Sequence, residues 1–336
     1  MQTMIEKELP RKLKKSLGKD KAESLYAHYV EAYSYLKENI FPDIPKKIPE
    51  FTSHDEKHIV DVLDNISKLL GDDLIKEIKC KDLYFLCLSA VFHDAGLIFG
   101  RDNHQNNIAE IYDTIRGKQM LTKFANEKSI LINIVSAHTG KSRNDKTYDT
   151  LKDLGIMNAY NDSINVREIA AILRFADELA EGNQRTSDFI IDKRLIKKKA
   201  NIYHLYSQSY SSVICFDRIA ITYNFFLNMK DKKLFINDIA LEEFLFFIYK
   251  RINKLDEERK YCRYYCQKWL SHIKEISIDF KFWIDSIEIK HNLVPIVLDD
   301  KIIPGDSKSL VTDNYPSYKY TSILSMLKKQ IAKRKK

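Results

Sequence analysis

The first half of the chain repeats apolar residues at the three- and four-residue spacing of helices. Residues 1–40 are predicted to be helical, with an apolar stripe that comprises Tyr26, Tyr29, Val30, Tyr33 and Leu36. Residues 83–92 are apolar nearly all round, which predicts a buried central helix. Further apolar helices are expected over residues 130–138 and 166–181. The pattern therefore predicts a helical N-terminal part.

A proline-rich segment interrupts the helical pattern between residues 41 and 53. It carries three prolines and cannot be helical throughout, so it is predicted to be a loop. A helix is expected to follow, capped by Thr52 or Ser53. It should run to about Leu70, where Gly71 ends it.

The character of the sequence changes after about residue 190. The segments VICFDRIAITYNF and EISIDFKFWIDSIEI alternate like strands, and one face would collect Ile276, Ile278, Phe280, Phe282 and Ile284. A long helix is expected between them over residues 238–270. The predicted fold class is mainly α, with a helical bundle followed by a smaller α+β domain. The predicted parts are a helical extension, the helical domain, the α+β domain and a basic tail, over residues 1–50, 51–190, 191–300 and 301–336.

Composition is that of a soluble globular protein, with 44% hydrophobic and 30% charged residues among 336. No apolar run approaches ~20 residues, so no transmembrane segment is expected. The N-terminus lacks the apolar core of a signal peptide. The five cysteines are odd in number and show no framework spacing, which indicates a reducing compartment. We therefore expect the protein in the cytoplasm.

Basic residues concentrate at both ends of the chain, which has a formal net charge of +8. This balance favours anionic partners without identifying them. The C-terminal cluster comprises Lys328, Lys329, Lys333, Arg334, Lys335 and Lys336. Two interpretations stay open, a solvated tail on a frayed helix and a contact with nucleic acid or a membrane surface. The sequence also leaves a homo-oligomer open.

Five of the nine histidines lie between positions 54 and 138, and the pair His93-Asp94 is at the centre of that cluster. Two imidazoles and two carboxylates form a donor set suited to a divalent metal, namely His58, His93, Asp94 and Asp177. An ionisable pair at the end of the most apolar predicted helix is costly unless something compensates for its desolvation. We therefore predict a metal site. For His54 and His58, which are four residues apart, the alternative is a surface pair.

Five segments resemble the HD superfamily of metal-dependent phosphohydrolases in order and spacing: FTSHDEKHIVDVL, LSAVFHDAGL, NHQ, SAHTG and LRFADELAEG. The resemblance covers roughly residues 50–190. It implies an HD-type domain that is an all-α bundle of five or more helices. It also implies that the metal ligands are His58, His93, Asp94 and Asp177.

By the same resemblance, His104 and His138 stand where some members of the family place further histidines, for a second metal or for proton transfer. Asp94 would then bridge two ions. The alternatives are a plain loop histidine for His104 and a helix-end residue for His138. His54 is expected near the site. The implied cofactor is one or two divalent ions, and the donors suit Mn²⁺, Mg²⁺, Fe²⁺, Ni²⁺ or Zn²⁺.

The chain departs from the branch of this superfamily that cleaves cyclic dinucleotides. Ala95, Gly96 and Leu97 follow the His-Asp pair, where that branch usually has a lysine. The paired histidines and the Gly-Tyr-Pro triplet of that branch are also missing. These departures argue against cyclic di-GMP cleavage. The sequence around His54 and His58 is more similar to a bacterial HD-domain branch linked to nucleotide signalling and conflict systems.

The predicted function is that of a metal-dependent phosphohydrolase or phosphodiesterase acting on a nucleotide or another phosphate ester. Basic side chains near the ligands would neutralise phosphate, or else serve as solvated surface charges: Arg101, Lys141, Arg143, Arg174 and Arg185. Two other functions stay open. One is a nucleotide-sensing regulatory module with little turnover. The other is an HD nuclease on single-stranded nucleic acid, whose binding would depend steeply on salt.

Overall fold

The computed structural model describes residues 2–102, 104–117, 124–139, 146–193, 196–231, 233–301 and 311–334. By its internal contacts the chain divides into two units. The first comprises Met1–Ala180 with Tyr261–His272, and the second comprises Glu181–Lys260 with Ile273–Lys336. The sequence-based boundaries at residues 50, 190 and 300 describe changes in sequence character and stay predictions.

In chain order the helices are α1 (Met4–Leu17), α2 (Lys19–Asn39), α3 (Ile44–Lys47), α4 (Glu56–Glu77), α5 (Cys80–Phe92), α6 (Ile108–Arg116), α7 (Ala125–Ser136), α8 (Val166–Glu178), α9 (Asp188–Asp192), α10 (Lys198–Ser209), α11 (Leu241–Tyr265), α12 (Gln267–Leu270), α13 (Val311–Asn314) and α14 (Tyr320–Arg334). The strands are β1 (Ile156–Ala159), β2 (Asp162–Asn165), β3 (Tyr210–Cys215), β4 (Arg218–Lys230), β5 (Lys233–Ile236), β6 (Ile239–Ala240), β7 (Ile276–Ile284), β8 (Ile287–Ile289) and β9 (Ile296–Leu298). The chain is thus α+β with a helical N-terminal part, and the description "mainly α" is only partly correct because a mixed sheet dominates the second unit.

The N-terminal segment forms two helices instead of the single one expected. Gly18 separates α1 from α2 with a φ of +80°, a conformation that residues with a side chain adopt at a cost. In the predicted stripe Tyr29 and Leu36 are buried, but Val30 is 42% exposed. The junction is not evident in the sequence, because a single glycine does not interrupt the three- and four-residue spacing of apolar residues in the two helices.

The helix that follows the proline-rich segment begins later than predicted, because Asp55 caps it. The Asp55 carboxylate accepts a hydrogen bond of 2.9 Å from the backbone nitrogen of Lys57. Gly71 was expected to end this helix but forms a kink with a φ of +61°, and α4 continues to Glu77. The predicted loop at residues 41–53 contains the short helix α3.

Helix α5 is the buried centre of the first unit, as predicted. All of its residues are buried, and it contacts α1, α2, α4, α7 and α8. By length and composition Cys80–Phe99 could cross a membrane, contrary to the expectation that no apolar run is that long. However, 89% of its most apolar window is buried inside the protein. Since a core helix passes the same test, this segment indicates a membrane span only weakly.

A β-hairpin lies inside the first unit, which is therefore not the all-α bundle that the resemblance implied. Strands β1 and β2 pair antiparallel around a two-residue turn at Tyr160 and Asn161. Both turn residues have a positive φ, the conformation whose twist suits a two-residue hairpin loop. Each strand has only four residues, so an alternating pattern is too short to recognise in the sequence.

A mixed sheet forms the core of the second unit. Its two long strands, β4 and β7, run parallel, with β3 and β5 paired to the outer side of β4. On the outer side of β7 lie β8 and β9, and β6 extends the sheet from β5. Parallel pairing requires a crossover connection, and α11 is part of it.

The predicted strand alternation is confirmed. Ile276, Ile278, Phe280 and Phe282 are buried on one face of β7, and Ile284 at its end is half-buried. The ring of Phe225 on β4 lies 5.8 Å from that of Phe244 on α11, so this helix covers the buried face. Within the predicted basic tail, α14 is a helix that buries Ile323 and Leu327.

Candidate metal centre

Helix ends in the first unit bring the predicted ligands together. His58 lies in the first turn of α4, and Asp177 lies in the last turn of α8. His93 and Asp94 directly follow the last residue of α5. Because α5 is the most buried helix, its end delivers an imidazole and a carboxylate to a site that solvent barely reaches, with His93 fully buried and Asp94 6% exposed.

The first donor group gathers four ligand atoms within 4.8 Å of one another. The Nε2 atom of His58 is 3.2 Å from Asp177 Oδ1 and 3.5 Å from Asp94 Oδ2. The Nε2 atom of His93 is 3.3 Å from Asp94 Oδ2 and 3.6 Å from Asp177 Oδ1. Ligands at about 2.1 Å from one ion lie roughly 3.0–3.5 Å apart in octahedral or tetrahedral geometry. The observed separations therefore suit donors that share one cation.

Asp94 divides its carboxylate between this group and a second one. Its Oδ1 atom is 3.4 Å from His104 Nε2 and 3.6 Å from His138 Nε2, whereas Oδ2 faces the first group. Asp94, His104 and His138 form the second set of converging donors. Gly96 permits this arrangement, because a Cβ atom there would lie 1.9 Å from the backbone oxygen of His104. Two oxygens that face separate donor sets are the arrangement of a bridging carboxylate.

Backbone carbonyls determine which nitrogen of each imidazole faces the carboxylates. The Nδ1 atoms of His93, His104 and His138 each donate to the carbonyl oxygen three residues earlier, at 2.8 Å for His93 and 3.1 Å for His104. When such a ring carries a single proton, held on Nδ1, its Nε2 atom can present a lone pair to a metal ion. Metal-binding histidines characteristically donate their other ring N–H in this way.

The charges of the first group depend strongly on one another. Burial lowers the pKa of His93, but the charge of Asp94 and hydrogen bonds with Asp94 and Asp177 outweigh burial and hold that pKa well above its usual value. Burial raises the pKa of both carboxyl groups, but their contacts with the imidazoles hold each pKa well below its usual value. The two carboxylates are therefore stabilised by a nearby positive charge. Without a bound ion, a proton on His93 supplies that charge.

A divalent cation fits the donors present. Among the described residues, the Nε2 atom of His104 is buried without a hydrogen-bond partner, although it faces Asp94. A buried polar atom without a partner costs free energy, and a cation between His104 and Asp94 would remove that cost. The mixed nitrogen and oxygen donors suit a borderline or hard divalent ion.

His54 lies beside the first donor group. Its Nε2 atom is 3.9 Å from Asp94 Oδ2, and its ring centre is 5.5 Å from that of His58. Its Nδ1 atom hydrogen bonds to the Thr52 carbonyl at 2.6 Å. His54 belongs to neither set of converging donors found among the described residues. The geometry therefore makes it a neighbour of the centre.

The phosphate-binding role expected of the five basic residues stays a prediction. Arg101 is exposed, and its guanidinium lies 4.3 Å from the centre of the Phe51 ring. Arg185 belongs to the second unit, where it forms an ion pair of 3.3 Å with Glu181. The other two loop residues of the prediction lie outside the described residues, namely Lys141 and Arg143.

Arg174 supports the backbone next to His138. Its Nη1 atom donates to the Ala137 carbonyl at 3.2 Å and to Thr150 Oγ1 at 2.9 Å. Its guanidinium lies 4.8 Å from the centre of the Tyr261 ring. Carbonyl groups at a helix end lack helical partners, and Arg174 satisfies one of them at the end of α7. Through these contacts Arg174 positions the backbone next to His138. The sequence analysis did not predict this role.

Two polar residues that hold ligand-bearing segments escaped the sequence analysis. Thr150 Oγ1 donates to the Ala137 carbonyl at 2.7 Å. Asn65 Nδ2 donates to the carbonyl of Ala176, the residue before Asp177, at 3.1 Å. Asn65 stands seven residues after His58, on the same face of α4, so a polar residue on an apolar face was the available signal. Thr150 gives no comparable signal because its partners are distant in sequence.

Replacing Thr150 with valine tests the support of His138. Valine keeps the shape of the side chain but leaves the buried Ala137 carbonyl and Arg174 without the hydroxyl. We expect the free energy of unfolding, measured by urea titration, to fall by about 1–3 kcal/mol. Thr114→Val is the control, because it removes an exposed hydroxyl that donates to a helix carbonyl. If both variants are equally stable, the Thr150 hydroxyl does not hold this segment.

Comparison with known proteins places the centre within a family. The HD-CE family model, which describes an HD-type domain, matches residues 48–233. This match contains both donor groups and covers more than half of the chain. A search of curated proteins and a search of solved structures each gave no match. The resemblance to HD proteins is thereby confirmed at the level of the domain type, and the chain belongs to the HD-CE family.

Proposed function

We propose that this protein is a metal-dependent phosphohydrolase or phosphodiesterase that acts on a nucleotide or another phosphate ester. The observation that carries the proposal is the Asp94 carboxylate, whose two oxygens face separate sets of imidazole nitrogens. Membership of the HD-CE family supports an HD-type metal centre at this position. Hydrolysis of a phosphate ester is the chemistry for which clustered divalent ions and a shared carboxylate are suited.

The two donor groups would hold one or two divalent ions. The first ion would be bound by His58, His93, Asp94 and Asp177, and the second by Asp94, His104 and His138. Bound ions would lower the pKa of a water molecule and polarise a phosphoryl oxygen. The chain lowers the pKa of both carboxyl groups and holds the rings of His93, His104 and His138 through their Nδ1–H bonds. Asp177 keeps 26% of its side-chain surface exposed, so we expect the substrate to approach from its side.

His138 or His104 would handle the proton if only one ion is bound. Their Nε2 atoms lie 3.6 and 3.4 Å from Asp94 Oδ1. An imidazole can hold or release a proton near neutral pH, and the leaving oxygen of a phosphate ester needs one. Each ring is fixed through Nδ1, so Nε2 is the atom that would carry the proton. Arg101 is exposed and its carbonyl accepts from His104 Nδ1, so its side chain is a candidate to meet phosphate.

Replacing His138 with glutamine tests its role. Glutamine keeps polarity and volume but cannot act as an acid, so we expect turnover to fall roughly 10²–10⁴-fold. The first donor group is untouched, and elemental analysis should still find its ion. His272→Gln is the matched control, because His272 bonds to the Leu69 carbonyl at 2.9 Å in the same unit. Turnover of the His138 variant equal to that of the control would remove His138 from the mechanism.

A hydrolysis panel tests the proposed function. Protein stripped with a chelator is reloaded separately with Mn²⁺, Mg²⁺, Fe²⁺, Ni²⁺ or Zn²⁺. It is then given nucleoside triphosphates, cyclic nucleotides, cyclic dinucleotides and short oligonucleotides. Release of phosphate, pyrophosphate or a nucleoside monophosphate, absent in the double variant His93→Ala with Asp94→Ala, supports the proposal. Tight nucleotide binding without turnover would favour a sensor. Products from oligonucleotides alone, with steep salt dependence, would favour a nuclease.

We also propose that the protein works in bacterial nucleotide signalling or conflict, and in the cytoplasm. The missing lysine after Asp94 separates it from enzymes that cleave cyclic dinucleotides. All five cysteines lie in the described residues and none forms a disulfide, which suits a reducing compartment. A cyclic dinucleotide cleaved fastest in the hydrolysis panel would contradict the separation from that branch.

A further inference from the structure

The second unit contains a cavity of about 560 Å³, which the proposed hydrolysis does not use. Its volume lies within the range of roughly 300–1,000 Å³ that is typical of small-molecule sites. Helices α9 and α10, strands β4, β5 and β7, and the turns after β5 and β7 contribute to its wall. All of its described lining residues belong to the second unit.

Two aromatic side chains form a stacking surface in this cavity. Phe226 and Trp283 are register partners on the adjacent parallel strands β4 and β7. Their ring centres are 6.2 Å apart, with 26° between the ring planes, and Phe226 is 49% exposed. Trp283 Nε1 donates to Asn224 Oδ1 at 3.2 Å, which fixes the orientation of the indole. Exposed aromatic residues on neighbouring strands are a common surface for stacking a nucleobase.

Three amide side chains line the same cavity, those of Gln208, Asn228 and Asn237. Gln208 Nε2 donates to Asp188 Oδ1 at 2.7 Å. Asn228 Nδ2 donates to the Asn237 carbonyl at 3.2 Å, and Asn237 Nδ2 donates to the Ile191 carbonyl at 3.3 Å. Each amide nitrogen thus donates one hydrogen bond to the protein. The amide oxygens of all three side chains remain available to a ligand.

Asp285 gives the cavity a carboxylate. Asp285 and Ser286 form the two-residue turn between β7 and β8, with φ values of 51° and 61°. The Asp285 carboxylate makes no hydrogen bond or ion pair with any residue that the structure describes. None of the described lining residues is a lysine or arginine. A phosphate group would meet a negative charge without a balancing cation, so the lining favours a neutral ligand rich in N–H donors.

We propose that this cavity binds a guanine ring, as the free base or as a nucleoside. The ring would stack on Phe226 and Trp283, and Asp285 would accept from its N1–H and its exocyclic amino group. Guanine presents these two donors side by side, and an ionised carboxylate has two acceptor oxygens to match them. Adenine and uracil do not present adjacent N–H donors, so the same site should discriminate against them. A nucleoside has no phosphate, so this binding is independent of the proposed hydrolysis.

Tryptophan fluorescence of the full-length chain measures this binding directly. The chain has two tryptophans, and Trp269→Phe leaves Trp283 as the only one. Titration with guanosine, in the presence of EDTA, should quench its fluorescence and saturate. Adenosine and uridine should bind at least about tenfold more weakly, as expected for loss of a paired hydrogen-bond contact. Calorimetry on the unsubstituted chain gives the same constants without any substitution.

Two variants and one control connect the binding to the named residues. Phe226→Ala and Asp285→Asn should each weaken guanosine binding about tenfold or more. Asparagine tolerates a positive φ, so the second variant preserves the turn. Asp217→Asn changes an exposed carboxylate in the turn between β3 and β4 and should bind guanosine normally. The proposal is overturned if guanosine does not bind by about 1 mM, a negligible affinity. It is also overturned if the Asp285 variant binds like the control, or if spermidine or glucose binds more tightly than guanosine.

Discussion

Replacing Asp94 with asparagine is expected to abolish metal binding at both donor groups. One carboxylate serves both, with Oδ2 3.3 Å from His93 Nε2 and Oδ1 3.4 Å from His104 Nε2. Asparagine keeps a single oxygen, removes the negative charge and presents an NH₂ group that no cation can use. We expect the affinity for Mn²⁺ to fall more than about 100-fold, beyond the loss of roughly 10–100-fold typical of residues that only orient a ligand.

The variant Asp177→Asn distinguishes the loss of one donor group from the loss of both. Asp177 contributes only to the first donor group, so its loss leaves Asp94, His104 and His138 intact. Elemental analysis after dialysis should therefore find less metal in the Asp94 variant than in the Asp177 variant whenever two ions bind. Asp82→Asn is the control, since Asp82 is a buried carboxylate that accepts a backbone hydrogen bond from Asn165 at 3.2 Å. Unchanged metal content in a folded Asp94 variant would show that the ligands have been wrongly assigned.

Long periodic segments of this fold could be predicted from the sequence, and junctions could not. Helix α5 is apolar on every face over several turns, which leaves burial as the only stable solution. Gly18 and Gly71 differ in their effect, since Gly18 separates two helices and Gly71 only bends one. Both glycines have a positive φ, so the residue type alone does not distinguish a helix end from a kink.

The candidate ligands could be predicted because each stands within a short segment that resembles a family. The supporting roles of Thr150 and Arg174 could not, because folding alone brings them close to their shared partner, the Ala137 carbonyl. Arg174 illustrates this, since its partner Ala137 lies 37 positions earlier in the chain. Arg185 illustrates the converse. It stands eight residues after Asp177, yet the chain leaves the first unit after Ala180, so nearness in sequence to a ligand did not place it in the same unit.

Glu127 is the centre of a buried polar network in the first unit. Its carboxylate accepts from Tyr84 at 2.9 Å, from Tyr112 at 2.7 Å and from Tyr160, and it pairs with Arg116 at 2.9 Å. Burial raises the pKa of all three tyrosines, and the negative charge of Glu127 raises it further. The hydroxyl groups therefore keep their protons and act as donors. The network joins α5, α6, α7 and the β1–β2 turn.

Glu127→Ala should lower the free energy of unfolding by about 3–5 kcal/mol, because it leaves the buried Arg116 without the carboxylate that balances its charge. Guanidinium chloride titration followed by circular dichroism measures the loss. Glu110→Ala removes an exposed carboxylate from the neighbouring helix α6 and should change stability by less than about 0.5 kcal/mol. Since α5 and α7 lead directly into His93 and His138, loosening them should also weaken metal binding at both donor groups. A Glu127 variant as stable as the Glu110 variant would show that the exposed partner Glu31 alone balances Arg116.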